Sequence, residues 1–145
     1  MADPGERTDA PASALRWVRA AGMHHSGGYA DAVVVPAGTR LVLLAWSCPL
    51  APDGSTVAPG DLAGQATACV ATLRTALAAA GAGLADVVST RVLVATTRQA
   101  DLVTAWDAVR AAFGEHDPPS TLLGVTVLGY DDQLVEVEAV AAIPG

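Results

Sequence analysis

Two stretches of this chain carry apolar residues at helical period, and the other apolar stretches are the length of strands. Leu62, Ala66, Cys69, Leu73 and Leu77 fall on one face of a helix running from an Asp61 N-cap to about Ala80, with Gly81 to close it. Leu102, Trp106, Val109 and Phe113 are spaced four, three and four, which marks a second helix over 99–113 ended by Gly114. Before the first helix come a short strand at 32–35 and a continuous apolar run at 41–46. The two are expected to pair as a hairpin, and the second reads as a strand buried on both faces. Residues 87–96 alternate as a half-buried strand does, with Val88, Thr90, Val92 and Val94 on one face. Runs at 121–128 and 134–141 complete the set, and Gly129-Tyr130-Asp131-Asp132 between them suits a hairpin. The order is ββαβαββ, an α+β chain with two helices on one face of its sheet. The uncovered face carries Val, Thr and Leu, so it must be buried somewhere, and self-association is the simplest expectation.

Composition points the same way. Of 145 residues, 52% are hydrophobic and 16% charged, and the mean hydropathy is +0.40. That excess fits a protein that hides part of its surface against copies of itself. A net charge of −7 and a sequence pI near 4.6 argue against nucleic-acid binding, which needs a basic footprint on phosphates. No apolar run approaches the roughly 20 residues of a membrane span. Residues 1–14 are polar and lack the basic-then-apolar order of a signal peptide, so a cytoplasmic protein is expected. Residues 1–26 read as a polar, flexible N-terminal arm with a short amphipathic piece at 14–18, and residues 27–145 as the folded domain. Cys48 and Cys69 read as free, buried thiols. Neither they nor His24, His25 and His116 have metal-ligand spacing, and no Gly-rich phosphate loop is present, so no metal or cofactor is expected.

Five segments, in order, carry a family resemblance. They are Gly28-Tyr29-Ala30-Asp31-Ala32-Val33; Gln65; Ala79-Ala80-Gly81 with Leu84-Ala85-Asp86-Val87-Val88; Pro118-Pro119-Ser120-Thr121-Leu122-Leu123-Gly124-Val125; and Leu134-Val135-Glu136-Val137-Glu138-Ala139-Val140-Ala141. Across roughly residues 28–143 the chain resembles the RidA (YjgF) family. The resemblance implies a chorismate-mutase-like fold, a homotrimer, and a small-molecule cleft at each subunit interface. It also implies cofactor-free hydrolysis of reactive imines and enamines such as 2-aminoacrylate. In that chemistry an arginine holds the substrate carboxylate, and the first glutamate of a Glu-x-Glu pair positions water.

Position by position, Glu136 matches the catalytic glutamate and Tyr29 the tyrosine beside the cleft. Ser120 stands at the arginine position, followed by Thr121. Trp46 occupies a turn where the family has glycine, and Trp106 a helix position where asparagine is usual. A bidentate charged grip on a carboxylate is therefore missing at position 120. Trp106 either packs in the core or walls the cleft, and Trp46 either fills the pocket or lines it. Cys48 either borders the cleft or is buried and inert. His25, of the His24-His25 pair, either closes over a neighbour's cleft or belongs to a mobile arm. Glu136 and Glu138 project from the same sheet face, and partial desolvation of Glu136 would raise its pKa. The expected function is acid/base chemistry by Glu136 on an imine, enamine or enol-type small molecule (hydrolysis, tautomerisation or condensation) in a specialised, biosynthetic-type pathway. Standard 2-aminoacrylate deamination is not expected. A non-catalytic small-ligand binding or regulatory trimer is the alternative. The ribonuclease activity of some relatives is disfavoured by the acidic charge.

Overall fold

Asp61 accepts the Gly64 N–H at 2.9 Å and opens α1 (Leu62–Ala79), which ends at Gly81, a residue at φ +77 that a side chain would strain. The computed structural model describes residues 14–24 and 28–145. Among these, the remaining elements are β1 (Arg16–Val18), β2 (Ala32–Val34), β3 (Thr39–Leu43), a 3-10 turn at Leu84–Asp86, β4 (Val87–Ala95), α2 (Gln99–Phe113), β5 (Ser120–Val125) and β6 (Val135–Pro144). The four longer strands form one sheet in the order β3-β6-β4-β5, and β1 and β2 form a separate two-stranded ribbon.

Both expected hairpins are corrected. The strand at 32–35 pairs with β1, with Trp17 opposite Val33, and not with the run at 41–46. Arg16–Val18, read as part of a flexible arm, supplies that partner strand, and Asp31 N–H on Val18 O at 2.9 Å fixes the ribbon. Pro36, which has no N–H, stops β2 before it can run on into a ladder with β3. At the other end, β5 and β6 are not neighbours. β5 runs parallel to β4, a pairing that needs the α2 crossover, and β6 inserts between β3 and β4, antiparallel to both. The 129–132 loop therefore carries the chain past the end of β4, where Ala95 N–H bonds Leu134 O at 2.9 Å and Thr96 N–H bonds Val125 O at 3.1 Å.

Register sorts the sheet into two faces. Thr90, Val92 and Val94 align with Ala139, Val137 and Val135, and all six are buried beneath the helices. The cover comes from Ala66, Cys69, Val70, Leu73 and Leu77 of α1 and from Ala105, Val109 and Phe113 of α2. A bulge between Val87 and Ser89 brings Val87 onto this face as well. The opposite face is only partly closed. Leu41 is 56% exposed, Leu43 77% and Leu123 43%. The run at 41–46 is thus an edge strand open on one side and not one buried on both. Its pairing shifts by one residue beyond Leu43, because Leu43 faces Val140 whereas Ser47 faces Val137.

Candidate functional site

The residues singled out in the sequence fall into two groups on different parts of the chain. In the first, Tyr29, Trp106, Ser120 and Thr121 frame an open groove of about 480 Å³ together with Leu122. Behind it, a cavity of about 210 Å³ reaches between the end of α2 and the segment 114–118. Tyr29 meets Trp106 edge-on, with ring centroids 5.9 Å apart and planes at 84°, a favourable aromatic geometry. Trp106 is half-buried, so it packs on the core and walls the groove at once. The main chain around Tyr29 is held from two sides. Ala30 N–H bonds Asp117 O at 2.9 Å, and Arg19 Nη1 bonds Tyr29 O at 2.9 Å while its Nη2 pairs with the Asp117 carboxylate.

Ser120 begins β5 opposite Thr90 of β4. Its hydroxyl donates to Pro118 O at 2.8 Å and lies 2.6 Å from Thr90 Oγ1. A serine has one proton, so with that proton on Pro118 the Thr90 hydroxyl must be the donor between the two. Ser120 is left with acceptor capacity, which offers nothing to a carboxylate.

The second group surrounds Glu136. It lies on the open sheet face, opposite Leu93, yet is only 4% exposed. The cover is the segment after β3, fastened to β6 by reciprocal Ser47–Val137 backbone bonds of 2.8 and 3.1 Å. Cys48 Sγ stands 3.9 Å from Glu136 Oε2. Gln133 Nε2 reaches that oxygen at 3.4 Å, Cys48 Sγ at 3.3 Å and Val135 O at 3.2 Å. Burial pushes the Glu136 carboxyl above its ordinary range and the neighbouring Glu138 adds to this, while the Gln133 and Cys48 hydrogen bonds pull the other way. Burial also raises the Cys48 thiol, and Glu136 beside it raises it further, so Cys48 is held as a thiol and not as a nucleophilic thiolate. Glu138, two residues on, pairs with Arg91 at 3.2 Å among more exposed groups.

Trp46 lines neither the groove nor the cavity. It is 59% exposed, and a Cβ added at Gly129 would stand 3.4 Å from its Cζ3. His25 lies outside the described residues, and His24 is exposed. Cys69 is buried beneath the sheet with its thiol on Val135 O at 3.4 Å. Among the described residues no cluster of three or more His, Cys, Asp and Glu side chains is placed to hold a metal.

Sequence reasoning missed four residues that shape these sites. Gln133 had no visible signal, since a glutamine after a loop is ordinarily a solvated one. His116 has no metal-ligand spacing in the sequence, yet it borders the cavity with Nε2 2.7 Å from Val87 O and Trp17 edge-on at 5.2 Å. Arg19 and Arg110 also line the cavity. Arg110 was findable, because it lies four residues after Trp106 and so on the same helix face.

No curated protein matches the chain. Several solved structures do. A Yersinia pestis protein of the conserved Rid family, described as of unknown function, is 29% identical with a TM-score of 0.81, over 89% of this chain and 98% of that one. A Mycobacterium tuberculosis member of the highly conserved YjgF family is 30% identical with a TM-score of 0.60, over 90% and 100% of the two chains. Escherichia coli TdcF, solved with bound serine, is 25% identical with a TM-score of 0.63, over 79% and 87%. The family profile described as endoribonuclease L-PSP matches residues 19–143. That span takes in both groups of side chains and every strand of the main sheet but the last residue of β6, and the chain therefore belongs to the endoribonuclease L-PSP family, the RidA (YjgF) family of its sequence resemblance.

Proposed function

We propose that the protein is a RidA-type enzyme that uses Glu136 as acid and base on a reactive imine, enamine or enol-type small molecule. It would work as a cytoplasmic homotrimer without metal or organic cofactor. One copy brings Tyr29, Trp106 and Thr121 to each cleft, and its neighbour brings Glu136 and Trp46. The observation that carries this reading is the enclosure of Glu136, a carboxylate on the open sheet face that is nonetheless 4% exposed and raised in pKa by burial. A carboxyl shifted in that direction is better suited to gaining and losing a proton in a reaction than an ordinary exposed one. On an imine, the Glu136 carboxylate takes a proton from water as the oxygen adds to the C=N carbon. It hands that proton to nitrogen, giving a carbinolamine, then takes the hydroxyl proton and delivers it to nitrogen as the C–N bond breaks, leaving a carbonyl and an amine. The open face with Leu41, Leu43 and Leu123 supports self-association.

A standard 2-aminoacrylate deaminase is disfavoured because the only Ser120 proton is already on Pro118 O. Losing a bidentate charged contact costs about 30- to 1,000-fold in kcat/KM. The test is hydrolysis of freshly generated 2-aminoacrylate beside an ordinary family deaminase. A rate reduced in that range, and abolished by Glu136→Gln, supports the reading, and comparable rates refute it. The second reading is a non-catalytic binder. It is favoured by the hydrogen bonds that Gln133 and Cys48 already make to Glu136. It would show as no turnover, with equal ligand binding by the Glu136→Gln variant and the unmodified protein.

A further inference from the structure

At the cavity behind the groove, one exposed cation has no partner among the described residues. Arg19 is occupied by Asp117 and Tyr29 O. His116 Nε2 is within hydrogen-bond distance of Val87 O. The Thr90 and Ser120 hydroxyls are spent on each other and on Pro118 O. Arg110 remains, and among the described residues its guanidinium makes no ion pair or side-chain hydrogen bond. Its place is nonetheless defined. It rests on the Cα of Gly28, where a Cβ would collide with it, and Gly28 has φ +63. The guanidinium is therefore set over a glycine that leaves it room, beside the aromatic pair of Trp106 and Tyr29, with Phe113 on the next turn of α2.

We propose that Arg110 is the specificity-determining residue of this cavity, and that it holds the anionic end of a small planar monoanion whose ring lies on Trp106 and Tyr29. The guanidinium fork matches a carboxylate with two parallel hydrogen bonds. The volume of about 210 Å³ falls below the roughly 300–1,000 Å³ of sites for drug-sized ligands, which fits a single ring. Glu115 and Asp117 also line the cavity. Asp117 is cancelled by Arg19, and Glu115 disfavours a second negative charge on the ligand. This deepens the reading of the preceding section and rests on it, because the cavity and the groove share Tyr29, Trp106 and Ser120.

The experiment is calorimetric titration of the intact protein with phenylacetate, phenylacetamide and phenethylammonium, which differ in the charge of one end. The proposal expects phenylacetate to bind at least about tenfold more tightly than the other two. Arg110→Gln should remove that preference, and Arg110→Lys should keep part of it. Binding is read without turnover, so a failure of the catalytic reading is not a failure of this one. Equal binding of the amide and the acid, a preference for the ammonium, or an unaltered preference in a folded Arg110→Gln protein would overturn it. If Arg110→Gln does not fold, the decision rests on Arg110→Lys and on salt. Binding of phenylacetate, but not of the amide, must then weaken as ionic strength rises.

Discussion

Replacing Gln65 with leucine should destabilise the protein by more than its change in bulk suggests. Gln65 lies in α1 with 0% exposure, under the loop that leads into β6. Its Nε2 donates to Asp132 O at 2.8 Å and to Ala58 O at 3.3 Å, and its Oε1 accepts the Leu134 N–H at 2.7 Å. Leucine fills similar space but leaves one N–H and two carbonyls without these partners. An unmade hydrogen bond to a buried group costs about 1–3 kcal/mol. These partners are part-buried, and the 3.3 Å contact is the weakest, so about 3 kcal/mol is expected in all. For a chain of this length that is a fall of about 10 °C in Tm, from an unfolding entropy near 2.1 cal/mol/K per residue. Thermal unfolding by circular dichroism at fixed protein concentration measures it. Gln65→Glu sharpens the test. It keeps an acceptor for Leu134 but, when ionised, sets a carboxylate against two carbonyls, so it should be less stable at pH 8 than at pH 5. A Gln65→Leu protein within 1 °C of the unmodified one would show that the loop does not depend on this clamp.

Gly28→Ala forces a side chain into the left-handed region and onto Arg110, at a local cost of about 1–2 kcal/mol. It should speed amide exchange in β1 and β2 and weaken phenylacetate binding. Glu136→Gln should stabilise the protein near pH 8 and not near pH 4. A carboxyl whose folded pKa is raised contributes stability below its unfolded pKa, and that contribution is lost as pH rises through the folded value. Paired unfolding curves at the two pH values decide it. Leu43→Glu places a charge on a side chain 77% exposed in the single chain. If that face is buried between copies, sedimentation should shift from three times the 14.6 kDa chain mass toward one.

Helices and strands were legible in the sequence because each carries its own period and punctuation. Asp61, Gly81 and Gly114 act on neighbours three or four residues away, and α1 and α2 end where those residues place them. Strand partners were not legible. A run such as 134–141 has the same alternation whether it pairs with the preceding strand or slips between β3 and β4. That choice is made by the α2 crossover, which takes β5 parallel to β4 and leaves the inner edge of β4 to β6. The site was legible to the same extent. Tyr29, Trp106, Ser120 and Thr121 do come together, since the packing of α2 over β5 depends on the apolar stripe that was read. Glu136 lies with Cys48 and Gln133 because of a one-residue shift after β3, and no periodicity announces that shift.

Position 120 shows why a substitution has to be read through its hydrogen bonds. From residue type alone, serine for arginine exchanges a strong contact to a ligand for a weak one. In the fold it removes the contact, since the hydroxyl proton goes to Pro118 O and the Thr90 hydroxyl fills the space between β4 and β5. The same arrangement ties Ser120 to Thr90 on the neighbouring strand β4. A cation still faces the same hollow from α2. Arg110 stands one turn beyond Trp106 over a glycine whose missing Cβ makes the room. Charge at this site therefore has to be sought across every element that borders the cavity. Under that view the informative reversal is Arg110→Ser in a Ser120→Arg background. If the hollow itself selects an anion, moving the guanidinium from α2 to β5 should restore preference for phenylacetate over phenylacetamide. If only the α2 geometry serves, the preference should stay lost.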